Sequence, residues 1–96
     1  MAPDAVPALS RNFVIVNKRG LHARASARFV ETASGFDAVI EVEKDGVTVG
    51  GTSIMGLMML AASPGCSIAV HGRGPEAAAA LDALEELVSG GFGEEN

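Results

Sequence analysis

The sequence predicts an α+β fold: a two-layer, open-faced β-sandwich in which a four-stranded antiparallel sheet is covered on one side by three helices. Three observations predict it. Four short segments alternate apolar and polar residues with period two, and three others carry one apolar helical face. Gly-, Pro- and Asp-containing breaks separate these segments in the order β-α-β-β-α-β-α. Elements with one apolar face each must stack to bury it, which gives two layers.

Residues 1–10 contain Pro3 and Pro7 and show no period, so they read as a flexible leader. Residues 11–17 are β-branched and aromatic around Phe13 to Val16 and predict the first strand. Asn17-Lys18-Arg19-Gly20 breaks it. A helix follows over 23–34, with Ala23, Ala27 and Val30 on one face, Phe29 and Ala33 beside it, and Gly35 as its stop. Ala38, Ile40 and Val42 then alternate with Glu41 and Glu43. Asp45-Gly46 signals a hairpin, and Val47 and Val49 resume the alternation. Ser53 is an N-cap for the apolar run Ile54 to Ala62, which Pro64-Gly65 ends. Cys66, Ile68 and Val70 alternate with Ser67, Ala69 and His71 in a fourth strand. Pro75 is expected at the first position of the last helix, whose apolar stripe is Ala77, Leu81, Leu84 and Val88. Gly90-Gly91 stops it. One domain is expected over 11–92, with 93–96 as a polar tail.

The 96 residues fit one domain, and with no Trp or Tyr its core must be aliphatic, helped by four Phe and four Met. A formal net charge of −5 argues against nucleic acid as the main partner, because phosphate backbones call for a basic face. Five of the seven basic residues nevertheless fall between 11 and 28: Arg11, Lys18, Arg19, Arg24 and Arg28. The region around residue 22 is therefore expected to be locally positive. A single cysteine fits a reducing compartment, the N-terminus lacks the pattern of a secretory signal, and no apolar run is long enough to span a membrane. The expectation is a cytoplasmic protein without membrane insertion.

His22 stands where a Gly turn meets a helix start. Backbone N–H groups there, those of Ala23 and Arg24 among them, lack partners within the helix, and the helix dipole places partial positive charge at that end. A phosphoryl group is favoured in such a place. Arg24 can reach the same anion, and a neutral imidazole is a nucleophile near physiological pH. The plain alternative is a surface histidine that caps a helix.

The run Asn17-Lys18-Arg19-Gly20-Leu21-His22-Ala23-Arg24 resembles the active-site signature of HPr, the histidine-containing phosphocarrier family of the bacterial phosphotransferase system. Thr52-Ser53-Ile54-Met55-Gly56-Leu57-Met58 resembles the serine-site signature of the same family. The resemblance covers about residues 11–92. It implies that His22 is phosphorylated on Nδ1 by phosphorylated enzyme I, that Arg24 attends the phosphoryl group, and that IIA domains are acceptors. It implies a monomeric carrier rather than an enzyme, with no cofactor. Most family members have Pro after the motif's Arg, where this chain has Ala25; the helix start is then less firmly fixed, and phosphohistidine lifetime is where the difference is expected.

Residues 54–60 are apolar except for one Gly, and a two-layer domain buries only one face of a short helix. Ala27, Ile54, Met55, Leu57 and Met58 are the candidates for a docking surface, which Met suits because it is flexible and polarizable. The alternative is a well-buried core helix. Ser53 caps that helix. The resemblance adds regulatory phosphorylation there by HPr kinase/phosphorylase, which a helix N-terminus tolerates.

His71 is expected on the solvent face of the sheet, without the further ligands a metal site needs, and Cys66 in the core. Two other functions compete. The ending Ser89-Gly90-Gly91-Phe92-Gly93-Glu94-Glu95 is similar to NPr proteins, carriers of a nitrogen-related regulatory branch. A purely regulatory binding module ranks lower, because family members of that kind replace the active His, whereas His22 and Arg24 are both present. An acyl carrier would be all-helical with an Asp-Ser-Leu motif, and this chain has neither.

Overall fold

The computed structural model describes residues 8–94; the expected leader up to residue 7, and Glu95 and Asn96 of the expected tail, lie outside the described residues. The elements are β1 (Leu9–Val14), α1 (Ala23–Ser34), β2 (Val39–Lys44), β3 (Val47–Gly50), α2 (Ile54–Met59), β4 (Ser67–Arg73) and α3 (Ala77–Ser89), followed by a 3-10 turn at Gly91–Gly93. The strands form one antiparallel sheet in the order β1-β4-β2-β3, with the three helices on one face. This is the open-faced α+β sandwich the pattern predicts.

Side-chain alternation sets the register. Phe13 pairs with Ile68 and Val42 with Val70, so their side chains share the helix-facing side and are buried. Arg11 lies on that same side at the sheet rim. It reaches α3, where its Nη1 donates to Asp82 at 2.6 Å and Glu85 at 2.9 Å. Arg11 therefore serves the β1–α3 packing and does not join the positive region expected around residue 22. On the open face, His71 bridges Ser10 of β1 (2.6 Å) and Glu43 of β2 (3.2 Å), half-exposed as expected.

Several boundaries move. β1 begins at Leu9, two residues inside the expected leader, and ends at Val14. The core face of α1 is Ala25, Ser26, Phe29 and Ala33 rather than Ala23, Ala27 and Val30. Phe29 decides this rotation: it is the largest apolar group on the helix and is fully buried, whereas Ala23 faces solvent. Ser26 can share that face because its hydroxyl donates to Leu21 O at 3.1 Å. Pro75 lies outside α3, whose N-cap is Glu76. The Glu76 carboxylate accepts the Asp37 N–H at 2.6 Å. Cys66 is half-exposed beside the Ser63 hydroxyl (3.4 Å) rather than buried in the core. Asp45 and Gly46 form the expected hairpin tip, with φ of 52° and 81°, the twist-matched pattern of two-residue hairpins.

The expected polar tail is partly structural. After Gly90 closes α3, Phe92 turns back and is fully buried in the core, burial that contributes about 2–3 kcal/mol for a side chain of this size. Glu94 follows and lies against α1.

Candidate functional site

The loop between β1 and α1 is held at both ends. Asn17 is fully buried. Its carbonyl accepts the Gly20 N–H at 3.1 Å, and its Nδ2 donates to Gly20 O at 2.8 Å. Gly20 takes φ +63° against the chain that leaves α2, and Leu21 N donates to Ala62 O at 3.0 Å. With Leu21 anchored in the core, the next residue is delivered to the start of α1 in a fixed orientation.

That residue is His22, the N-cap of α1, in extended geometry (φ −73°, ψ −178°). Its carbonyl accepts the first helical hydrogen bond, from Ser26 N at 2.9 Å. Its Nδ1 accepts the Arg24 N–H at 3.3 Å, so Nδ1 is aimed at the helix N-terminus. The long distance marks a weak bond that is easily exchanged for another acceptor. Nε2 points the other way, into a hydrogen bond with Glu94 Oε2. Because Nδ1 accepts, Nε2 carries the proton.

The surrounding cleft is lined by Arg19, His22, Arg24, Arg28, Gly93 and Glu94. The Arg28 guanidinium donates to Phe92 O at 2.7 Å and ties the end of the chain to α1. The Arg24 side chain is exposed and makes no hydrogen bond or ion pair among the described residues. Its charge is thus available to an incoming anion. Glu94 is compensated from several sides. Burial pushes its carboxyl upward, but the Asn17 amide (3.0 Å), the His22 hydrogen bond and the charge of Arg19 outweigh that and hold it below its ordinary value. Asn17 Oδ1 has no partner among the described residues, a polar cost carried at the site.

A family model, PTS-HPr, described as the PTS HPr component phosphorylation site, matches residues 9–90. The chain belongs to the HPr family. The phosphocarrier protein HPr of Neisseria meningitidis serogroup A is 49% identical over 86 residues, 90% of this chain and 97% of that protein. HPr of Cupriavidus necator is 43% identical over the same shares of the two chains. The crystal structure of HPr-C-His from Thermoanaerobacter tengcongensis superposes with a TM-score of 0.87 at 43% identity, covering 92% of this chain and 99% of that one.

Within this HPr fold the sequence-derived candidates fall into two groups. His22, Arg24 and the Ala23 and Arg24 backbone come together at the start of α1. Ser53 caps α2, its Oγ accepting the Gly56 N–H at 3.0 Å. Beside it Ile54, Met55 and Met58 are exposed, and Ala27 on α1 is half-buried. Leu57 is a correction: it is fully buried and offers nothing to a partner, because α2 needs one large residue to anchor it to the core. Met59, at 77% exposure, takes its place on the outer face. Ala25 lies before the first helical N–H donor, so a proline there would cost no helix hydrogen bond.

Sequence reasoning missed Glu94 and Asn17. A signal for Glu94 was present: Phe92, the last apolar residue of the chain, stands between glycines close to the end, and burying it draws its neighbours onto the fold.

Proposed function

We propose that this protein is a phosphocarrier whose His22 accepts a phosphoryl group from phosphorylated enzyme I and passes it to IIA-type acceptors. The observation that carries the reading is Nδ1 of His22 held at the N-terminus of α1, 3.3 Å from the Arg24 N–H. Nδ1 supplies its lone pair to phosphorus while the donor's bond to phosphorus breaks and the donor keeps that electron pair. Rotation is not needed, since Nε2 is already anchored. The Arg24 N–H and its neighbour Ala23 N–H then meet phosphoryl oxygens, and the Arg24 guanidinium adds a charge-assisted bond. An open cleft suits a group that must leave again for the next partner.

The exposed Ile54, Met55, Met58 and Met59 form the docking surface in this reading. Contacts of this kind are small and transient. Ser53 is the regulatory site, where HPr kinase/phosphorylase would place a dianion inside that surface. The nitrogen-related NPr branch is the second reading, on the Ser89–Glu95 ending. The carrier acts in the cytoplasm, and no helix among the described residues is long and apolar enough to cross a membrane.

The test is an intact mass after incubation with phosphoenolpyruvate and enzyme I, beside His22→Ala. One acid-labile phosphoryl group that vanishes in the variant is the expected result. No gain with active enzyme I of either the sugar or the nitrogen branch would leave His22 as a helix cap and favour the binding-module reading.

A further inference from the structure

We propose that Ser10 is an acylation site: a serine nucleophile, with His71 as its general base and Glu43 as the positioning residue for that base, that takes an acyl group from an activated ester or thioester. The site lies on the open face of the sheet and does not rest on the carrier reading.

Three strands build it. Ser10 of β1 is the cross-strand partner of His71 in β4, and Glu41 of β2 is the partner of His71 on its other side. Ile15 N donates to Cys66 O, so every second residue back along β1 bonds to β4 and Ser10 falls between them, in a pair that exchanges no backbone hydrogen bonds. The side chains of such a pair stand closest. Ser10 Oγ lies 2.6 Å from Nδ1 of His71. Nε2 of the same ring lies 3.2 Å from Glu43 Oε1. A carboxylate only accepts, so Nε2 carries the proton and Nδ1 accepts from the Ser10 hydroxyl. Hydroxyl, imidazole and carboxylate thus follow one another in the order that activates a serine, with the two ring nitrogens exchanged relative to the hydrolase triad.

The surroundings select the substrate. Ser10 is exposed, and β1 is an edge of the sheet. The same alternation turns the Ser10 N–H off that edge, where an acyl oxygen can meet it. Arg73, two residues along β4 on the same face, is exposed with Glu41 as a loose partner at 4.0 Å, and its charge favours an oxyanion. Glu41 and Glu43 set two carboxylates beside the ring. They repel a phosphoryl dianion and leave a neutral carbonyl carbon as the electrophile. An exposed site does little to polarise that carbonyl, so the donor must bring a good leaving group. Ser10 Oγ adds to the carbonyl carbon while its proton passes to Nδ1, and the resulting imidazolium faces Glu43 through Nε2–H. The carbonyl re-forms, the bond to the leaving group breaks, and that group departs with the electron pair and takes the Nδ1 proton. The products are O-acyl-Ser10 and a free alcohol or thiol.

The experiment incubates full-length wild type, His71→Ala and Glu43→Ala, each verified as folded by circular dichroism, with p-nitrophenyl acetate. Acetyl groups are located by peptide mass spectrometry after an acid quench, which preserves serine esters. Ser67, exposed on the same face four residues from His71, is the internal reference. In wild type Ser10 should be acetylated about a hundredfold faster than Ser67. His71→Ala should bring Ser10 down to the rate of Ser67, and added imidazole should restore part of the difference, which a disturbed fold would not allow. In Glu43→Ala the Ser10 rate should fall about tenfold. Ring ¹⁵N NMR should show His71 passing from one neutral tautomer to a mixture in that variant. Ser10 acetylated no faster than Ser67, or at a rate untouched by His71→Ala, overturns the proposal. An unchanged rate and tautomer in Glu43→Ala overturns the role of Glu43.

Discussion

A Cβ on Gly20 would stand 2.1 Å from the carbonyl oxygen of Ala62. That oxygen already accepts the Leu21 N–H, so the turn that presents His22 is pressed against the chain leaving α2. The loop that carries His22 and the chain that leaves α2 are thereby held together. Gly20→Ala must move backbone against backbone and also hold a side chain at positive φ. It is expected to lose about 2–4 kcal/mol in urea unfolding. Gly46→Ala is the control, because its φ is also positive (+81°) but nothing lies within 4 Å of the added atom. It should lose only about 1 kcal/mol. Equal losses in the two variants would show that the Ala62 contact relaxes and costs nothing.

The sheet was legible because period-two alternation has only two outcomes per strand, and Ile40, Val42, Ile68 and Val70 chose the same side. The hairpin was legible from Asp45-Gly46, and His22 from a glycine turn followed by a helix start. The core face of α1 was not, because alanines at 23, 25 and 27 carry almost equal weight and only Phe29 marks the buried side. Leu57 shows a related limit: in a run of Ile, Leu and Met the sequence says that one face is exposed but not which residue anchors the helix. The Glu94 contact spans 72 residues and is carried by Phe92, so no local period encodes it.

Leu57 and Met55 sit two positions apart on α2 and should respond in opposite ways. Leu57→Ala removes a fully buried side chain and is expected to cost about 2–5 kcal/mol. Met55→Ala, at a residue 70% exposed, should stay within about 0.5 kcal/mol of wild type. Met55→Ala combined with Met59→Ala should instead raise the carrier concentration that half-saturates enzyme I by about tenfold. Unchanged saturation in the double variant would remove the exposed face of α2 from the docking surface.

Ser53 separates capping from charge. Ser53→Ala removes the acceptor of the Gly56 N–H and should cost about 1 kcal/mol. Ser53→Asp restores an N-cap of equal rank, so its urea midpoint should match wild type. Its charge, however, lies beside exposed Ile54 and Met55. Transfer from enzyme I should slow in Ser53→Asp and remain normal in Ser53→Ala. The reverse order would mean that the cap, not the charge, governs the surface.

The Glu94 carboxyl gives the protein an acid-sensitive component of stability with a defined sign. Burial raises its pKa, but the hydrogen bonds from Asn17 and His22, with the charge of Arg19, more than offset that and leave it below the ordinary 4.5. A carboxyl whose folded pKa is depressed binds its proton more readily when unfolded. Its contribution is therefore present in full above the unfolded value and is lost as pH falls through the folded one. Arg24 and Arg28 line the same cleft and keep their charge throughout this range, so they do not reverse the trend. The stability gap between wild type and Glu94→Gln, taken from urea unfolding between about pH 5 and about pH 3, should be widest at the upper end and narrow toward the acid end. A gap that stays constant with pH would assign the Glu94 contribution to packing and neutral hydrogen bonds. The charge on Glu94 would then contribute nothing to folding.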